Sequence, residues 1–575
     1  MDDDYILGLN DGEINSSAAL VKGGQLLAGC PEERFSRQKR TKAFPRRSVE
    51  FCLDTAGIAL ADCAAIAQAW NPGASWHKFN PVLSGQRVRR EDYFYSVPDN
   101  LLNLKERTAG DWVKMDFAPE TGLPPVYYVQ HHRCHAANAF FLSPFEEAAI
   151  LTVDWRGEYE CTTWSHGRGS DIEVLQSQHI PNSLGMFYGT FTEFLGYKPD
   201  SDEWKVMALS AFDLDCSNYE KAIRETIKLC DDGTMELNQT YYTGALIDQP
   251  KLYTQKFIDM LGGREGVPGE EAGEWHCKVA RAMQRVAEDI ACHYLEHLHK
   301  LTNCTSLALS GGFFMNSVFN GKVLERTPFE NVYVSYAPAD VGNSIGAALY
   351  VAHCLMGAPR VFADNPSQIG PSFSNDDVEQ ALKRRGIAYT RVDDIEAAIA
   401  QRLADGEIIA LCQGPMEFGE RALGNRSIIA DPRRDDMKDR INASIKYREA
   451  YRPFAPAVLF EKAAQYFEVA QNFESPHMEK VVPVREDHRA ALPAITHVDG
   501  SGRVQTVKPE TSPFFYKVIS EFEKRTGYPM VLNTSFNING EPIVLSPDDA
   551  ISTFFNSGLE TLAVGNFIVE KAQRA

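Results

Sequence analysis

The sequence lacks several features that would place it in a specialised class. No apolar run approaches the roughly 20 residues that a membrane-spanning helix needs. The N-terminal MDDDYILGLN is acidic, whereas a signal peptide begins with basic residues. The 12 cysteines include no Cys-x-x-Cys pair, which argues against a zinc ribbon or a disulfide framework. We therefore expect reduced thiols and a cytoplasmic protein.

Basic residues are also in deficit. The chain has 58 Lys and Arg against 78 Asp and Glu, which gives a formal net charge of −20. Binding to duplex nucleic acid needs a basic face that displaces counterions, so this charge disfavours a nucleic-acid partner. The same charge is compatible with a cationic small molecule but does not require one, because acidic surfaces also keep proteins in solution.

The length of 575 residues predicts more than one domain, because a single hydrophobic core rarely grows beyond about 300 residues. Strand-like and helix-like segments alternate in the first part, which includes a long amphipathic helix at 274–302. The Pro-, Gly- and Ser-rich stretch GAPRVFADNPSQIGPSFS then indicates a linker. The predicted division is an N-terminal domain at 1–357, a linker at 358–374 and a second domain at 375–575.

The opening segments of the chain favour a particular architecture. YILGLNDG and SSAALVKGGQLLAGC predict strands joined by turns, and the second segment closes as a hairpin through Lys22-Gly23-Gly24. Folds of the actin and sugar-kinase (ASKHA) type begin in this way. The sequence therefore indicates an α/β protein whose first domain has this architecture.

Residues from distant parts of the chain form a candidate metal site: His131, His135, Asp154 and Asp340. The two histidines are spaced i, i+4, so on a helix their imidazoles leave the same face. Each aspartate follows a strand-like run, AAILTV or NVYVSYAP, which would place its carboxylate at the carboxyl edge of a sheet. Two imidazoles and two carboxylates suit a borderline divalent transition metal such as iron, manganese or zinc.

An i, i+4 histidine pair alone more often marks a packed helix face than a metal site. His293 and His297, in ACHYLEHLHK, have the same spacing on the long predicted helix. No strand ending in aspartate accompanies them to complete a ligand set. We interpret this second pair as structural.

Glycine turns in the first domain predict contacts to a nucleotide-like ligand. The Ser310–Gly312 turn ends a strand and precedes a helix, so its backbone N–H groups could meet an anion. Gly342 and Gly346 open another helix in the same way. A glycine after a strand is more often only a tight turn, but Lys205, in DEWKVMALS, would add a positive charge.

The second domain mixes basic residues with Gly, Ser and Asn in QGPMEFGERALGNRSIIADPR, NASIKYREAYRPFAPAV and VLNTSFNINGEPIV. This mixture suits an oxyanion pocket in which guanidinium groups and hydroxyls converge on phosphates. A solvated basic face is the usual alternative, but Gly419, Gly424, Asn533 and Ser535 lie in apolar strand and turn contexts. The basic members of the cluster are Arg421, Arg426, Lys446, Arg448 and Arg452.

A set of ordered motifs carries a family resemblance. The motifs are ILGLND, PEERFSRQK, QHHRCHAANAF, LTVDWRGE, NSLGMFYGTFTEFLG, WKVMALSAF, SGGFFMNSVFNGK, ADVGNSIGAA, FGERALGNRSI, YRPFAPAVL and LNTSFNINGEPIV. Together they resemble the NodU/CmcH/TobZ family of O-carbamoyltransferases. The resemblance extends from about residue 6 to the terminal LAVGNFIVEK, and the ordered set is far more specific than any one motif.

The resemblance implies an N-terminal TsaD-like (ASKHA) domain and a C-terminal YrdC-like α/β domain, an α/β and α+β fold. The second domain would make carbamoyl-adenylate from ATP and carbamoyl phosphate. The first would transfer the carbamoyl group to a hydroxyl of a small-molecule natural product or sugar. The implied cofactors are a divalent metal, expected to be Fe²⁺, and Mg²⁺ with ATP. A homodimer is a further expectation, without nucleic acid or membrane.

The resemblance also implies roles for individual residues. The implied metal ligands are His131, His135, Asp154 and Asp340. The implied nucleotide contacts are Lys205, Gly311, Gly312 and Asn316. The implied contacts to carbamoyl phosphate and the ATP phosphates are Arg421, Lys446, Arg452, Asn533 and Ser535.

One position departs from the family pattern. The family has His-Asp before the run of small residues, whereas this chain has Ile14 where the histidine would act as general base. Asp11, Glu13, a metal-bound hydroxide or a base on the substrate are the alternatives for that role. Asp11 and Glu13 are therefore candidate catalytic residues, and the positively charged Lys205 is a third.

Three alternative functions are less consistent with the sequence. A threonylcarbamoyl-type tRNA modification enzyme would need a basic surface, which the net charge of −20 opposes. A HypF-type maturation enzyme should carry zinc-finger modules, and no Cys-x-x-Cys pair occurs. A non-catalytic nucleotide-binding regulator is supported only by Ile14 and is opposed by the intact metal and phosphate residues.

The segments with the fewest motif residues are the candidates for recognition of the acceptor. Specificity is expected in 71–125 and 213–275, which contain the fewest motif residues. Aromatic side chains in or beside the first stretch could stack on a ring or a cation, although most such residues simply pack. They are Trp70, Trp76, Phe79, Tyr93, Tyr95 and Trp112.

Overall fold

The structure, a computed structural model, describes residues 4–12, 15–71, 111–244, 250–362, 367–446 and 454–571. The chain divides into two compact units, Met1–Leu27 with Lys42–Ala363 and Ala28–Thr41 with Asp364–Ala575. Both units contain helices and β-strands, so the predicted mixed α/β class is confirmed. Within the described ranges, no helix has both the length and the apolar character needed to cross a membrane.

The strands before residue 362 follow the apolar runs of the sequence. In chain order they are β1 (Tyr5–Asn10), β2 (Ser17–Lys22), β3 (Gln25–Pro31), β4 (Cys63–Gln68), β5 (Trp112–Met115), β6 (Val126–Val129), β7 (Glu147–Val153), β8 (Glu160–Arg168), β9 (Asp171–His179), β10 (Ile227–Leu229), β11 (Met235–Leu237), β12 (Ser306–Ser310) and β13 (Asn331–Val334).

The helices of the same part are α1 (Glu32–Ser36), α2 (Arg46–Ala56), α3 (His131–Phe141), α4 (Leu184–Phe194), α5 (Glu203–Leu209), α6 (Ser217–Arg224), α7 (Gln255–Met260), α8 (Glu274–Thr302), α9 (Ser317–Asn320), α10 (Val323–Arg326) and α11 (Asn343–Tyr350). The long helix predicted at 274–302 is α8. The segment MNSVFNGKVLE forms two short helices, α9 and α10, with the weak helix former Gly321 between them.

The first unit contains a five-stranded sheet ordered β13-β12-β7-β8-β9. β7 and β12 are parallel, and Thr152 of β7 pairs with Ser310 of β12. The carboxyl ends of parallel neighbours meet at the same edge of a sheet. The residues that follow β7 and β12 are therefore brought together.

A six-stranded sheet has the order β3-β2-β1-β4-β6-β5. β1 runs antiparallel to β2 and parallel to β4. Gly23 and Gly24, between β2 and β3, have φ of 54° and 84°, the positive values that a tight hairpin turn needs. The predicted turn at Lys22-Gly23-Gly24 is therefore present.

Helices α3 and α11 pack with their backbones almost in contact. A Cβ added to Gly346 would lie 1.9 Å from the carbonyl oxygen of Cys134, and one on Gly8 would lie 1.9 Å from that of Ser344. Any side chain at these positions would force the elements apart. Close packing thus explains Gly346, which the sequence had suggested as an anion contact.

The second unit is built on a nine-stranded sheet ordered β14-β22-β21-β15-β16-β20-β17-β19-β18. These strands are β14 (Thr390–Arg391), β15 (Ile409–Cys412), β16 (Ser427–Ala430), β17 (Ala455–Leu459), β18 (Lys480–Pro483), β19 (Ser501–Val507), β20 (Met530–Ser535), β21 (Thr561–Val564) and β22 (Phe567–Glu570).

Helices cover both faces of this sheet. They are α12 (Asn375–Arg384), α13 (Ile395–Ala404), α14 (Met437–Ile441), α15 (Ala463–Tyr466), α16 (Glu486–Arg489), α17 (Pro513–Thr526) and α18 (Pro547–Phe555). Side chains of β15 alternate between two hydrophobic cores. Ala410 and Cys412 pack in the core that includes α12 and α18, and Ile409 and Leu411 pack in the core that includes α13 and α17.

Candidate metal centre and anion-binding residues

The candidate metal ligands meet at one point in the first unit. His131 and His135 are one turn apart on α3, and their Nε2 atoms are 3.0 Å apart. Asp154 directly follows β7, and its Oδ2 lies 3.1 Å from Nε2 of His131 and 3.0 Å from Nε2 of His135. Asp340 begins a short 3₁₀ turn after β13, and its Oδ1 lies 3.5 and 3.4 Å from the same nitrogens.

The electrostatics of this cluster fit a bound cation. One donor atom from each of the four residues lies within 4.8 Å of all the others. Burial and the charge of Asp154 raise the pKa of Asp340. Burial lowers the pKa of His131, but Asp340, Asp154 and Glu158 raise it to about 9. The carboxylates around His131 therefore favour positive charge at this point, as a bound cation would supply.

The hydroxyl of Ser310 determines which nitrogen His135 offers. Ser310 Oγ lies 3.2 Å from the carbonyl oxygen of Pro338, to which it donates its single proton. The same hydroxyl lies 3.2 Å from Nδ1 of His135, so it accepts the Nδ1–H of that imidazole. Nε2 of His135 is then the unprotonated nitrogen, as a metal ligand requires.

Glu158 orients the start of α3. Its Oε1 accepts the backbone N–H of His131 at 3.1 Å and that of Asn71 at 2.8 Å. The Trp70 and His131 rings pack in a T-shaped arrangement, with 5.7 Å between centroids. We did not predict a role for Glu158, although it is the last residue of the motif LTVDWRGE and lies close after Asp154.

Of the predicted nucleotide contacts, Gly311 and Gly312 lie beside a candidate metal ligand. Gly311 has φ of 104°, and a Cβ there would lie 2.2 Å from the Val153 carbonyl oxygen. A Cβ on Gly312 would lie 2.9 Å from Oδ1 of Asp154. The turn after β12 therefore packs directly against a candidate metal ligand, and glycine is required at Gly311, where the backbone of Val153 approaches closely.

Asn316 and Lys205 belong to other local networks. Asn316 caps α9 by accepting the N–H of Phe319 at 3.1 Å, and its Nδ2 donates to Oε1 of Gln284 at 3.0 Å. Lys205 is on α5, and its Nζ lies 3.3 Å from Oδ2 of Asp202. Their nucleotide roles, and the catalytic role of Lys205, stay predictions.

Asp11 follows β1, and its Oδ1 accepts a hydrogen bond from Nε2 of Gln68 at 2.9 Å. Burial raises the pKa of the Asp11 carboxyl, and the hydrogen bond from Gln68 partly offsets this. A carboxylate with a raised pKa is a better proton acceptor. Glu13 and Ile14 lie outside the described residues.

Two aromatic residues of the predicted acceptor region are described, Trp70 and Trp112. Trp112 is partly exposed on β5 and packs against Tyr127 with 5.6 Å between centroids. Trp76, Phe79, Tyr93 and Tyr95 lie outside the described residues.

In the second unit, Lys446 and Ser535 come together. Lys446 is buried at the end of a π-helical turn, Asn442–Lys446. Its Nζ donates to the carbonyl oxygen of Ser535 at 2.5 Å and to Oδ1 of Asn537 at 2.8 Å. Ser535 Oγ donates to the same Oδ1 at 2.7 Å. Asn537 was not predicted, although the sequence NTSFNING places it two residues after Ser535.

Glu417 organises the loop that carries Arg421. Its Oε1 accepts the backbone N–H of Leu423 at 2.8 Å and of Asn425 at 2.7 Å. Asn533, on β20, donates from Nδ2 to the carbonyl oxygen of Ala422 at 3.2 Å, so β20 touches the same loop. The loop that carries Arg421 is therefore held by hydrogen bonds to the Glu417 carboxylate and to the Asn533 side-chain amide.

Arg426 does not belong to this anion cluster, and its predicted place there was wrong. Its guanidinium is buried and donates to backbone carbonyls, from Nε to Leu545 at 2.9 Å and from Nη2 to Pro371 at 3.2 Å. Nη1 donates to the Gln413 carbonyl as well. The group thus joins separate backbone segments, a use of arginine that its surroundings in the sequence do not reveal. Arg448 and Arg452 lie outside the described residues.

In the second histidine pair, His297 contacts other side chains of the first unit. His297 hydrogen-bonds through Nε2 to Oε1 of Gln176 at 2.9 Å and packs edge-on against Trp164. Across the described ranges, neither His293 nor His297 joins a group of side chains that could hold a metal ion.

Comparison with known proteins gives matches along most of the chain. Residues 5–349 match the family described as Carbamoyltransferase N-terminus, and residues 400–571 match Carbamoyltransferase C-terminus. The nodulation protein NolNO of Sinorhizobium fredii is 37% identical over 565 residues, which cover 97% of this chain and 79% of that protein.

A 3'-hydroxymethylcephem-O-carbamoyltransferase of Streptomyces clavuligerus is 28% identical over 444 residues, which cover 76% of this chain and 79% of that enzyme. Among solved structures, a ROK hexokinase from Thermus thermophilus covers 60% of this chain and 98% of its own, with 17% identity and a TM-score of 0.28.

Proposed function

The chain belongs to the carbamoyltransferase family, and we propose that it is an ATP-dependent O-carbamoyltransferase for a hydroxylated small molecule. The observation that carries the proposal is the convergence of His131, His135, Asp154 and Asp340 within the part that matches the family's N-terminal region. The cephem relative, named as an O-carbamoyltransferase, supports a hydroxyl as the acceptor group.

The second unit would form carbamoyl-adenylate from ATP, carbamoyl phosphate and water, with release of pyrophosphate and phosphate and with Mg²⁺ accompanying ATP. This assignment is supported by the meeting of Lys446 with Ser535, and by the glycine-rich loop that presents Arg421. Ammonium and guanidinium groups next to a hydroxyl are suited to phosphate oxygens. Arg452 would be a further cationic contact.

The first unit would perform the transfer. The hydroxyl oxygen of the acceptor bonds to the carbamoyl carbon, the bond from that carbon to the AMP phosphate oxygen breaks, and AMP leaves. A divalent cation, expected to be Fe²⁺, would when bound act as a Lewis acid toward the carbamoyl oxygen. Asp11, with its pKa raised by burial, would take the hydroxyl proton.

The finer fold assignment accompanies this function. We infer that the first unit has the ASKHA architecture and that the second is YrdC-like. Support for the first comes from the β1–β2 hairpin at the start of the chain, with β4 parallel to β1. Support for the second comes from the separate mixed sheet of the second unit and its anion-binding side chains.

The test is a transfer assay on the purified full chain. The protein is incubated with ATP, carbamoyl phosphate and a panel of hydroxylated metabolites and sugars, and products are followed by mass spectrometry. The expected result is a mass gain of one carbamoyl group on an acceptor, dependent on both ATP and carbamoyl phosphate. ATP binding without any turnover across the panel would favour the nucleotide-binding regulator instead.

A further inference from the structure

Asn343 is a buried amide beside the candidate metal ligands that the proposed chemistry does not yet use. It is the first residue of α11 and is fully buried. Its Nδ2 lies 3.5 Å from Nδ1 of His131 and 3.3 Å from Nε2 of His135. Its Oδ1 has no hydrogen-bond partner among the described residues. A buried amide oxygen without a partner calls for an explanation.

Metal binding would change what this amide can contact. When Nε2 of His131 holds a cation, the neutral imidazole carries its proton on Nδ1, and that N–H needs an acceptor. Among the described residues, the Asn343 side-chain amide is the polar group within hydrogen-bond reach of Nδ1 of His131. The Nδ2–H₂ group of Asn343 is a donor and cannot accept this N–H. Its Oδ1 can accept it, and because the oxygen and nitrogen of an amide occupy similar volumes, a half rotation about the Cβ–Cγ bond exchanges the two atoms.

We propose that Asn343 is a positioning residue of the metal centre, whose Oδ1 accepts the Nδ1–H of His131 in the loaded protein. The role matches that of Ser310, which accepts from Nδ1 of His135. Each imidazole then has its own partner that fixes the tautomer and leaves Nε2 for the cation. The inference rests on the proposed function, because it assumes that a cation occupies this centre.

The test compares metal affinity in three variants of the full chain. Asn343→Leu removes the acceptor at similar size, Asn343→Asp retains an oxygen acceptor, and Asn320→Leu changes a buried amide elsewhere in the first unit. Fe²⁺ or Co²⁺ affinity is measured by titration against a chelator, with thermal unfolding of the metal-free protein as a folding control. Loss of an outer-sphere partner typically costs about 10- to 100-fold in affinity.

Asn343→Leu is expected to lose metal affinity by about 10- to 100-fold. Asn343→Asp should retain the wild-type affinity, and Asn320→Leu should not change it. Equal affinity in wild type and Asn343→Leu would overturn the inference. Wild-type protein that binds no transition metal at all would instead overturn the proposed metal centre. The two failures are therefore distinguishable.

A separate cluster on the first unit points to a second cation site, independently of the proposed function. Glu147 begins β7, His166 is on β8, and Cys304 precedes β12. Nε2 of His166 lies 2.8 Å from Oε1 of Glu147 and 3.5 Å from Sγ of Cys304. One donor atom from each of the three residues lies within 4.8 Å of the others.

The geometry of this cluster excludes a catalytic relay. In such a relay the acid and the nucleophile contact opposite ring nitrogens of the histidine. Here Glu147 and Cys304 approach the same nitrogen, so the donors converge on one point, as metal ligands do. A carboxylate, a thiolate and a neutral imidazole would neutralise a dication, and sulfur with imidazole suits zinc.

We propose that Glu147, His166 and Cys304 bind one zinc-like divalent cation, with water completing its coordination. On binding, the Cys304 thiol loses its proton to solvent and forms the sulfur–metal bond. Arg168, which donates from Nη2 to Oε1 of Glu147 at 2.7 Å, must then release the carboxylate. Its side chain is 72% exposed, so water can replace that contact.

The test uses the His135→Ala background, so that the centre near α3 does not contribute. Zn²⁺ is titrated against a chromophoric chelator, and Co²⁺ is used to look for thiolate-to-metal charge transfer. Cys304→Ser and His166→Gln should each abolish this charge transfer and remove one bound ion per chain. Cys230→Ser, at a partly exposed cysteine of the same unit, is the control. Unchanged stoichiometry and spectra in Cys304→Ser would overturn the proposal.

Discussion

Nη2 of Arg34 donates to the carbonyl oxygen of Gly419 at 2.7 Å, although 385 positions separate them in the sequence. Both residues belong to the second unit. Arg37 adds hydrogen bonds to the carbonyl oxygens of Ile543 at 2.6 Å and Pro542 at 2.9 Å. The segment PEERFSRQK near the N-terminus is therefore part of the second unit, and it anchors the turn that leads to Arg421.

Replacing Arg34 should destabilise that turn. The guanidinium is buried, so Arg34→Met leaves the Gly419 carbonyl without its donor, at a cost of about 1–3 kcal/mol in the free energy of unfolding. Denaturant unfolding of the second unit is the measurement. Arg46→Met, at an exposed position, should leave the unfolding free energy within error. Equal stability of the two variants would contradict the anchoring role.

The candidate site could be predicted from the sequence where local pattern determines geometry. The i, i+4 spacing places His131 and His135 on one face of α3, and an apolar run before Asp154 predicts a strand that ends there. The contact between Arg34 and Gly419 could not be predicted, because no periodicity links residues so far apart. Arg426 was misjudged because a buried guanidinium and an anion-binding one have the same sequence signature.

Removing one metal ligand should separate the two half-reactions. We expect the centre formed by His131, His135, Asp154 and Asp340 to hold about one divalent transition ion per chain, by the ligand preference of two imidazoles and two carboxylates. His135→Ala should lose the ion and the transfer activity while carbamoyl-adenylate still forms. Metal content and both half-reactions are measured. His293→Ala, in the structural pair, should behave as wild type; full transfer by metal-free protein would contradict the prediction.

Lys446 should be needed for the first half-reaction. Removing a cationic partner of a bound phosphate is expected to cost at least about 2 kcal/mol, so Lys446→Met and Arg452→Ala should lose ATP turnover that depends on carbamoyl phosphate. Transfer from preformed carbamoyl-adenylate should be retained. Lys446 also holds Ser535 and Asn537, so thermal unfolding of the Lys446 variant must be checked. Normal ATP turnover in both variants would contradict the assignment of carbamoyl-adenylate formation to the second unit.

Glu420 should make stability depend on pH. Burial raises its pKa to about 7 from the usual 4.5, against the opposing charge of Arg421. A folded-state pKa above the unfolded one means that the stabilising effect of protonation is complete below pH 4.5 and is lost as the pH rises through about 7. Glu420→Gln should flatten this decline and increase stability at pH 8, by on the order of 1–3 kcal/mol. Parallel pH profiles for wild type and variant, by denaturant unfolding, would refute it.

Asp11 should serve as the proton acceptor in place of the family's histidine, whose position Ile14 occupies in this chain. Its carboxylate is held by Gln68, and its raised pKa increases its basicity. Asp11→Asn keeps the size and can still accept from Gln68, yet it cannot take a proton from the acceptor hydroxyl. The transfer rate should therefore fall by roughly 10²-fold or more, the usual scale for loss of a general base.

The same loss is expected for Glu13→Gln if the neighbouring carboxylate shares the role, so both variants are measured with preformed carbamoyl-adenylate. Gln68→Leu is the informative companion, because it removes the hydrogen bond that lowers the pKa of Asp11 without removing the base. Its pH–rate profile should shift to higher pH, since a carboxyl of higher pKa deprotonates later. Wild-type transfer rates in both carboxylate variants would eliminate them as bases and leave a metal-bound hydroxide or the substrate itself as the proton acceptor.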